Sequence, residues 1–143
     1  MKAAALHRLS VARTIGGTMS NLKHFKLSDL DGRPPEGPLP GRLIAGSPEF
    51  RTWSMGAAPQ TFLDAGLWLA TPGTFRSIKQ ETWEIFTLLE GVVEITEDGH
   101  PPVTYRAGDT VVLGPGFTGV WNTVETVRKV FVLVDASRPL PEA

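Results

Sequence analysis

The chain has 143 residues, of which 41% are hydrophobic and 20% are charged; this is enough for one domain with a buried core but not for two. It contains no cysteine, which excludes disulfides, a thiolate nucleophile and cysteine-ligated zinc. The formal net charge of -1 argues against a general nucleic-acid binder.

The N-terminal part of the chain is rich in basic residues. Residues 1–27 carry five Lys or Arg and no acid, while the remainder carries nine Lys or Arg against fifteen Asp or Glu. We interpret residues 1–20 as a basic extension, either a targeting segment or a stretch preceding a true start at Met19, and the sequence leaves open whether residues 1–18 are translated. No apolar run approaches the ~20 residues of a membrane span, so we expect a cytoplasmic protein without a membrane partner.

Residues 21–60 are predicted to be an irregular arm. The stretch "DGRPPEGPLPG" (31–41) has four prolines and three glycines, which excludes regular structure. "GRLIAGSPEFRTWSMG" (41–56) offers at most two short strands. We expect this arm to wrap or extend the domain, or to pair with a partner subunit.

Residues 61–136 have the sequence pattern of an all-β domain, and a tail follows over residues 137–143. Strand-forming segments rich in β-branched and aromatic residues recur every eight to twelve residues, separated by turn signals such as "TPG", "EDG" and "PG". No window shows sustained helical periodicity. This spacing predicts a β-sandwich or barrel.

Three segments in this region resemble the cupin superfamily: "GLWLATPGTF" (66–75), "EIFTLLEGVVEIT" (84–96) and "AGDTVVLGPGFTGVWNTVETVRKVFVLV" (107–134). More narrowly, they resemble the DUF861-type small cupins, which are ureidoglycine-aminohydrolase-like and include ethanolamine-utilisation accessory cupins. The resemblance implies a double-stranded β-helix, or jelly-roll barrel, preceded by the irregular arm.

The resemblance also implies where metal ligands would lie. In cupins, two histidines and a glutamate from a first motif and a third histidine from a later strand usually hold the metal, and the matching positions here are Ile78, Gln80, Glu84 and Gly119. The three histidines of the chain, His7, His24 and His100, match none of them. An amide and one carboxylate are weak metal candidates, because tight sites need about three or four protein ligands. We therefore expect no bound metal and predict no other cofactor.

Glu84 is the candidate catalytic residue. Alternation places Glu84, Phe86 and Leu88 on one strand face, and the resemblance makes that face the barrel interior. A desolvated carboxylate there either finds a partner or has a raised pKa. It can serve as a general acid or base, anchor a ligand, or be a structural carboxylate paired with an interior Lys or Arg.

Ligand-binding candidates surround this position. Trp68 and Trp121 could form aromatic walls for a small ligand, including a cationic one, or could simply fill the core. Alternation puts Arg76, Ile78 and Gln80 on one face, so Arg76 could bind a substrate carboxylate or pair with Glu84. One of the neighbours Arg128 and Lys129 must face inward, and the pattern does not settle which. The remaining candidates are Lys129 itself and Tyr105, the only tyrosine.

These features predict a small cupin that binds a small polar metabolite in its barrel without the usual metal, with catalysis unproven and the ligand unnamed. One alternative is a metal-dependent, aminohydrolase-like or isomerase-like enzyme. Another is a non-catalytic accessory or structural dimer. Exposed sheet edges favour a homodimer through strand or arm exchange.

Overall fold

The computed structural model describes residues 14–15, 18–19, 21–55 and 62–137. The predictions for most of the basic extension and for nearly all of the C-terminal tail lie outside these residues. The elements in chain order are β1 (Thr14–Ile15), β2 (Thr18–Met19), a 3₁₀ helix (Leu27–Leu30), β3 (Leu43–Gly46), β4 (Phe50–Ser54), β5 (Leu63–Ala70), β6 (Gly73–Ile78), β7 (Thr82–Glu97), β8 (Val103–Arg106), β9 (Thr110–Leu113) and β10 (Thr118–Asp135).

The sheet is organised around its two longest strands, β7 and β10. β1 and β2 pair separately, whereas the other eight strands form one antiparallel sheet with the order β3-β6-β10-β5-β4, to which β7 adds by pairing with β10, β8 and β9. β10 pairs with β6 over residues 118–123 and with β5 over residues 127–134. Register shifts between Thr123 and Lys129 interrupt its pairing with β7. Such irregularities let a long strand bend, and the curled all-β sheet confirms the predicted cupin barrel.

The core lies on the concave side of this sheet, as the side chains of β7 illustrate. Glu84, Phe86 and Leu88 are buried, whereas Trp83 and Ile85 are exposed. This is the alternation expected for an antiparallel sheet with one face on the core. The interior is rich in aromatic residues: the rings of Phe50, Trp68, Phe75, Phe86 and Trp121 contact one another at centroid distances of 4.9–6.5 Å.

Residues 21–55 are attached closely to this sheet. β3 pairs with β6 and β4 pairs with β5, so the sheet begins at Leu43, within the segment that the sequence assigned to the arm. The 3₁₀ helix buries Leu30, and Glu36 forms an isolated antiparallel bridge with Phe50. The Pro/Gly-rich stretch is thereby held beside β4, where it can form one wall of a cavity.

Candidate functional site

Three charged side chains meet inside the barrel. Glu84 in β7 accepts a hydrogen bond on each carboxylate oxygen: Lys79 Nζ lies 2.5 Å from Oε1, and Lys129 Nζ lies 2.6 Å from Oε2. Glu84, Lys79 and Lys129 are 3%, 6% and 6% exposed, respectively. We call Lys79, Glu84 and Lys129 the buried triad. Charged groups at this depth persist only when they are paired, and here one carboxylate is shared by two ammonium groups.

The local fold explains why these residues meet. Lys79 and Glu84 lie on either side of the turn joining β6 to β7, closed by the Thr82 amide donating to the Lys79 carbonyl at 3.0 Å. Every second residue in this part of β10 faces inward, and these residues are Val127, Lys129, Phe131 and Leu133. The side chain of Lys129 therefore reaches the same point.

Aromatic rings enclose the Lys129 ammonium on its other sides. Its Nζ lies 4.4 Å from the ring centroid of Trp68 and 4.5 Å from those of Phe86 and Trp121. The negative ring faces attract a cation at these distances. A cage of this kind can recognise a cationic ligand, but here a side chain of the protein already fills it.

The charges of the triad perturb each other strongly. Burial alone would raise the pKa of Glu84, but attraction and hydrogen bonds from Lys129 and Lys79 outweigh it and lower that pKa to about 2. Burial, together with repulsion from Lys79, lowers the pKa of Lys129 to about 8 against the opposing attraction of Glu84. Glu84 is therefore ionised at neutral pH, which suits an electrostatic anchor and disfavours a general acid or base.

A cavity of about 210 Å³ opens onto the triad. This volume is below the ~300–1,000 Å³ typical of pockets for drug-sized ligands. Its walls come from the arm and from strands β4, β5, β6, β7 and β10. The lining residues are Glu36, Gly37, Pro38, Leu39, Arg42, Phe50, Thr52, Trp68, Phe75, Arg76, Ser77, Ile78, Lys79, Glu84, Trp121, Lys129, Phe131 and Leu133.

Four of the sequence candidates for ligand binding line this cavity: Trp68, Trp121, Lys129 and Arg76. The structure settles the alternative that the sequence left open, because Lys129 faces inward and Arg128 faces outward to pair with Glu90 at 2.5 Å. Trp121 is buried, and its Nε1 donates to Thr123 Oγ1 at 2.9 Å.

Arg76 does not pair with Glu84, which was one of the two roles that the sequence left open for it. Its guanidinium instead binds Asp98, which keeps the pKa of Arg76 above its usual value. Arg76 and Ile78 line the cavity but are only half-buried, whereas Ser77 and Lys79 are the buried positions at this end of β6. Alternation fixes which residues share a face but not which face points inward.

The other two candidates lie away from the cavity lining. Gln80 is exposed in the β6–β7 turn with a φ of 52°, a left-handed conformation. Tyr105 is half-buried on β8 and packs against the core.

Lys79 belongs to the buried triad but is not among the site residues predicted from the sequence. Lysine is rarely buried, so its place in "TFRSIK" was compatible with a solvated strand end. The available signal was its position five residues before Glu84 across a short turn, where a carboxylate on the inner face needs a cationic partner.

The residues at the expected ligand positions do not fit a divalent metal. Both oxygens of Glu84 accept from ammonium groups, whose positive charges repel a metal cation. Ile78 has no donor atom, and a Cβ placed on Gly119 would lie 2.3 Å from the carbonyl oxygen of Thr96. Within the described part of the chain, no group of three or more His, Cys, Asp or Glu residues could hold a metal ion.

Comparison with known proteins agrees with the cupin barrel. The family model of the EutQ-like cupin domain matches residues 57–131, which is more than half of the chain. This protein therefore belongs to the EutQ-like cupin domain family. Among curated proteins, none matches the chain.

Solved structures place the fold within the same group. A protein of unknown function of the DUF861 family from Pseudomonas syringae pv. tomato str. DC3000 is 26% identical, with a TM-score of 0.60 over 71% of this chain and 43% of that one. The Clostridium difficile EutQ protein is 19% identical, with a TM-score of 0.55 over 62% of this chain and 64% of that one. The chain thus spans less than two thirds of either relative.

A third solved structure shows a likeness in fold alone. It is a Cupin 2 conserved barrel domain protein from Salinispora arenicola CNS-205, 24% identical, with a TM-score of 0.51 over 62% of this chain and 77% of that one. Across the described residues, no helix is long and apolar enough to cross a membrane.

Proposed function

We propose that this cupin binds a small polar metabolite in its barrel cavity without a metal. The observation that carries the proposal is the cavity of about 210 Å³ that reaches the buried triad beside Trp68 and Trp121. Small-molecule sites characteristically combine apolar walls with a few convergent polar groups.

Binding is better supported than catalysis. The aminohydrolase-like alternative needs a metal, which the residues around Glu84 do not fit. The pKa of about 2 for Glu84 leaves no carboxylic acid at neutral pH to donate a proton and makes the carboxylate a weak base. Recognition by fixed charges and aromatic walls remains the role that this arrangement supports.

The test blocks the cavity while leaving its charges unchanged. Thr52 is the cross-strand partner of Trp68 and lines the cavity, so Thr52→Phe puts a ring into the ligand volume. The matched control is Val103→Phe, since Val103 is 46% exposed on β8 and lies outside the cavity lining. We expect a saturation-transfer NMR screen of small polar metabolites to give hits with the wild type and Val103→Phe but not with Thr52→Phe. Hits that survive in Thr52→Phe, or none with the wild type, would refute the proposal.

We further propose a homodimer formed through the outer face of β7 and β9. Trp83, Ile85 and Val112 are 43%, 40% and 56% exposed there, and Ile85 is paired with Val112 in the ladder. Neighbouring exposed apolar side chains typically mark an interaction surface. The edge strand β3, with exposed Leu43 and Ile44, is the competing surface and corresponds to the strand exchange suggested by the sequence.

A further inference from the structure

A buried serine on the wall of the cavity has a hydroxyl group that the protein itself does not use. Phe75, Ser77 and Lys79 alternate at the inner side of this end of β6, and Ser77 is only 7% exposed. Its cross-strand partner on β10 is Gly119, which has no side chain. Among the residues that the structure describes, Ser77 Oγ has no hydrogen-bond partner, and no fully enclosed polar side-chain atom lacks one. The oxygen of Ser77 therefore has an open side, and the space that Ser77 lines is the cavity.

A second hydroxyl group lies on another wall of the same cavity. Thr52 on β4 is half-buried, lines the cavity and is the cross-strand partner of Trp68. Its backbone carbonyl accepts a hydrogen bond from Arg33, but its hydroxyl group has no partner within the described part of the chain. A hydroxyl group can both donate and accept a hydrogen bond. The cavity therefore offers uncharged hydrogen-bonding groups from two of its walls.

The charged groups of the buried triad are engaged with one another. Each carboxylate oxygen of Glu84 accepts a hydrogen bond from one ammonium group, and the ammonium group of Lys129 also faces three aromatic rings. A ligand that took over these contacts would have to break hydrogen bonds between charged groups, which are roughly twice as strong as those between neutral groups. The hydroxyl groups require no such exchange, and they favour a ligand whose polar group carries no charge.

The apolar part of the cavity wall is mostly aromatic. Phe50, Trp68, Phe75 and Trp121 line the cavity, and their rings contact one another at centroid distances of 4.9–6.5 Å. An aromatic ligand gains edge-to-face or offset contacts with such rings in addition to the free energy of burying its area. A cavity of roughly 150 Å³ can hold benzene. The volume of about 210 Å³ found here therefore suits one aromatic ring with a small substituent.

Building on the proposed function, we propose that the cavity takes a single uncharged aromatic ring that carries a hydroxyl or another neutral hydrogen-bonding substituent. The ring packs against Trp68 and Phe75, and its substituent forms a hydrogen bond with Ser77. Ser77 then determines specificity, because a ligand that lacks the polar substituent leaves the serine hydroxyl unpaired. A saturated ring of the same size fits the volume but lacks the aromatic contacts.

The test compares phenol with toluene, cyclohexanol and benzoate by isothermal titration calorimetry at neutral pH. Toluene replaces the hydroxyl group by a methyl group, cyclohexanol replaces the aromatic ring by a saturated ring, and benzoate adds a negative charge. We expect phenol to bind at least about threefold more tightly than cyclohexanol, the size expected for aromatic contacts. Benzoate should bind more weakly than phenol.

Ser77→Ala should weaken phenol binding by about fivefold, the size expected for one neutral hydrogen bond, and should leave toluene binding nearly unchanged. Retained toluene affinity shows that the cavity of the variant is intact. The matched control is Ser47→Ala, because Ser47 is exposed between β3 and β4 and lies outside the cavity lining. This control should alter neither affinity. Thr52→Val removes the other hydroxyl group and should leave the ratio of phenol to toluene affinity unchanged.

The outcomes separate this inference from the proposed function. An unchanged phenol affinity in Ser77→Ala, an equal loss for phenol and toluene, or tighter binding of cyclohexanol or benzoate than of phenol would overturn it. A loss of phenol preference in Thr52→Val instead would overturn the role of Ser77. If phenol fails to bind while Thr52→Phe abolishes binding of other metabolites, the cavity still binds ligands and the aromatic assignment is wrong.

Discussion

Lys129 occupies a position on β10 where its inward-facing neighbours, Val127, Phe131 and Leu133, are all apolar. The carboxylate of Glu84 and three aromatic rings stabilise its ammonium there, but burial still lowers its pKa to about 8. A buried ion pair often adds little to stability compared with an apolar replacement. The buried charge of Lys129 is therefore weak evidence for a contribution to stability.

The free energy of unfolding should rise with pH between about 8 and 10.5. In this range Lys129 of the unfolded chain, with a pKa of 10.5, keeps its proton, whereas Lys129 of the folded protein has released it. The unfolded state then binds more protons, so increasing pH favours folding. The 2.5-unit difference sets an upper limit of roughly 3 kcal/mol. Urea unfolding followed by circular dichroism at several pH values measures the slope.

Lys129→Met should remove this contribution, while Arg128→Met should keep it. Both variants lose one positive charge from β10, but only Lys129 is among the buried residues. Identical slopes in the two variants would show that the dependence arises elsewhere in the chain.

At the scale of the strands, β10 is packed so closely that one of its positions admits no side chain. Gly119 pairs with Ser77 of β6 and Glu97 of β7. A Cβ at Gly119 would approach the Thr96 carbonyl oxygen to 2.3 Å, and that atom belongs to backbone that cannot move independently. A histidine at this position is thus incompatible with the observed spacing of β10 and β7.

Gly119→Ala should destabilise the protein by about 1–3 kcal/mol, the usual range for overpacking. The matched control is Gly37→Ala, because a Cβ at Gly37 meets nothing within 4 Å. Denaturant midpoints of the two variants provide the measurement. Equal midpoints would mean that β10 and β7 can separate more easily than their pairing suggests.

The strands show why the sequence predicted the fold better than the site. Strand spacing, turn signals and the order of three cupin-like segments were sufficient for the barrel, and the apolar neighbours of Glu84 identified the inner face of β7. No such neighbours indicated which face of "TFRSIK" points into the barrel, because Arg76, Ile78 and Gln80 are as compatible with the inner face as with the outer face. The cage around Lys129 depends on rings from β5, β7 and β10, and local patterns do not encode such long-range contacts.

At the scale of the whole molecule, the barrel has two contrasting faces. The concave face holds the aromatic core, the buried triad and the cavity, whereas the convex face exposes Trp83, Ile85 and Val112. A dimer formed through the convex face would leave the cavity residues free to bind a ligand.

Ile85→Lys should convert the proposed dimer to a monomer, because it places a charge at the centre of the apolar contact. Ile44→Lys is the matched control at the β3 edge, where Ile44 is 54% exposed. Light scattering coupled to size-exclusion chromatography measures the mass. A wild type with the mass of one chain rejects the dimer, and dissociation by Ile44→Lys alone moves the interface to the sheet edge.

The central place of β10 also has a consequence during synthesis. Its three partners, β5, β6 and β7, all precede it in the chain. A ribosome-bound polypeptide that has not yet produced residues 118–135 therefore has β5 and β6 without their common neighbour, and Glu84 without Lys129. Unpaired strands and exposed apolar surface make nascent chains prone to aggregation. For this protein, the interval before β10 emerges is the period in which a chaperone would matter most.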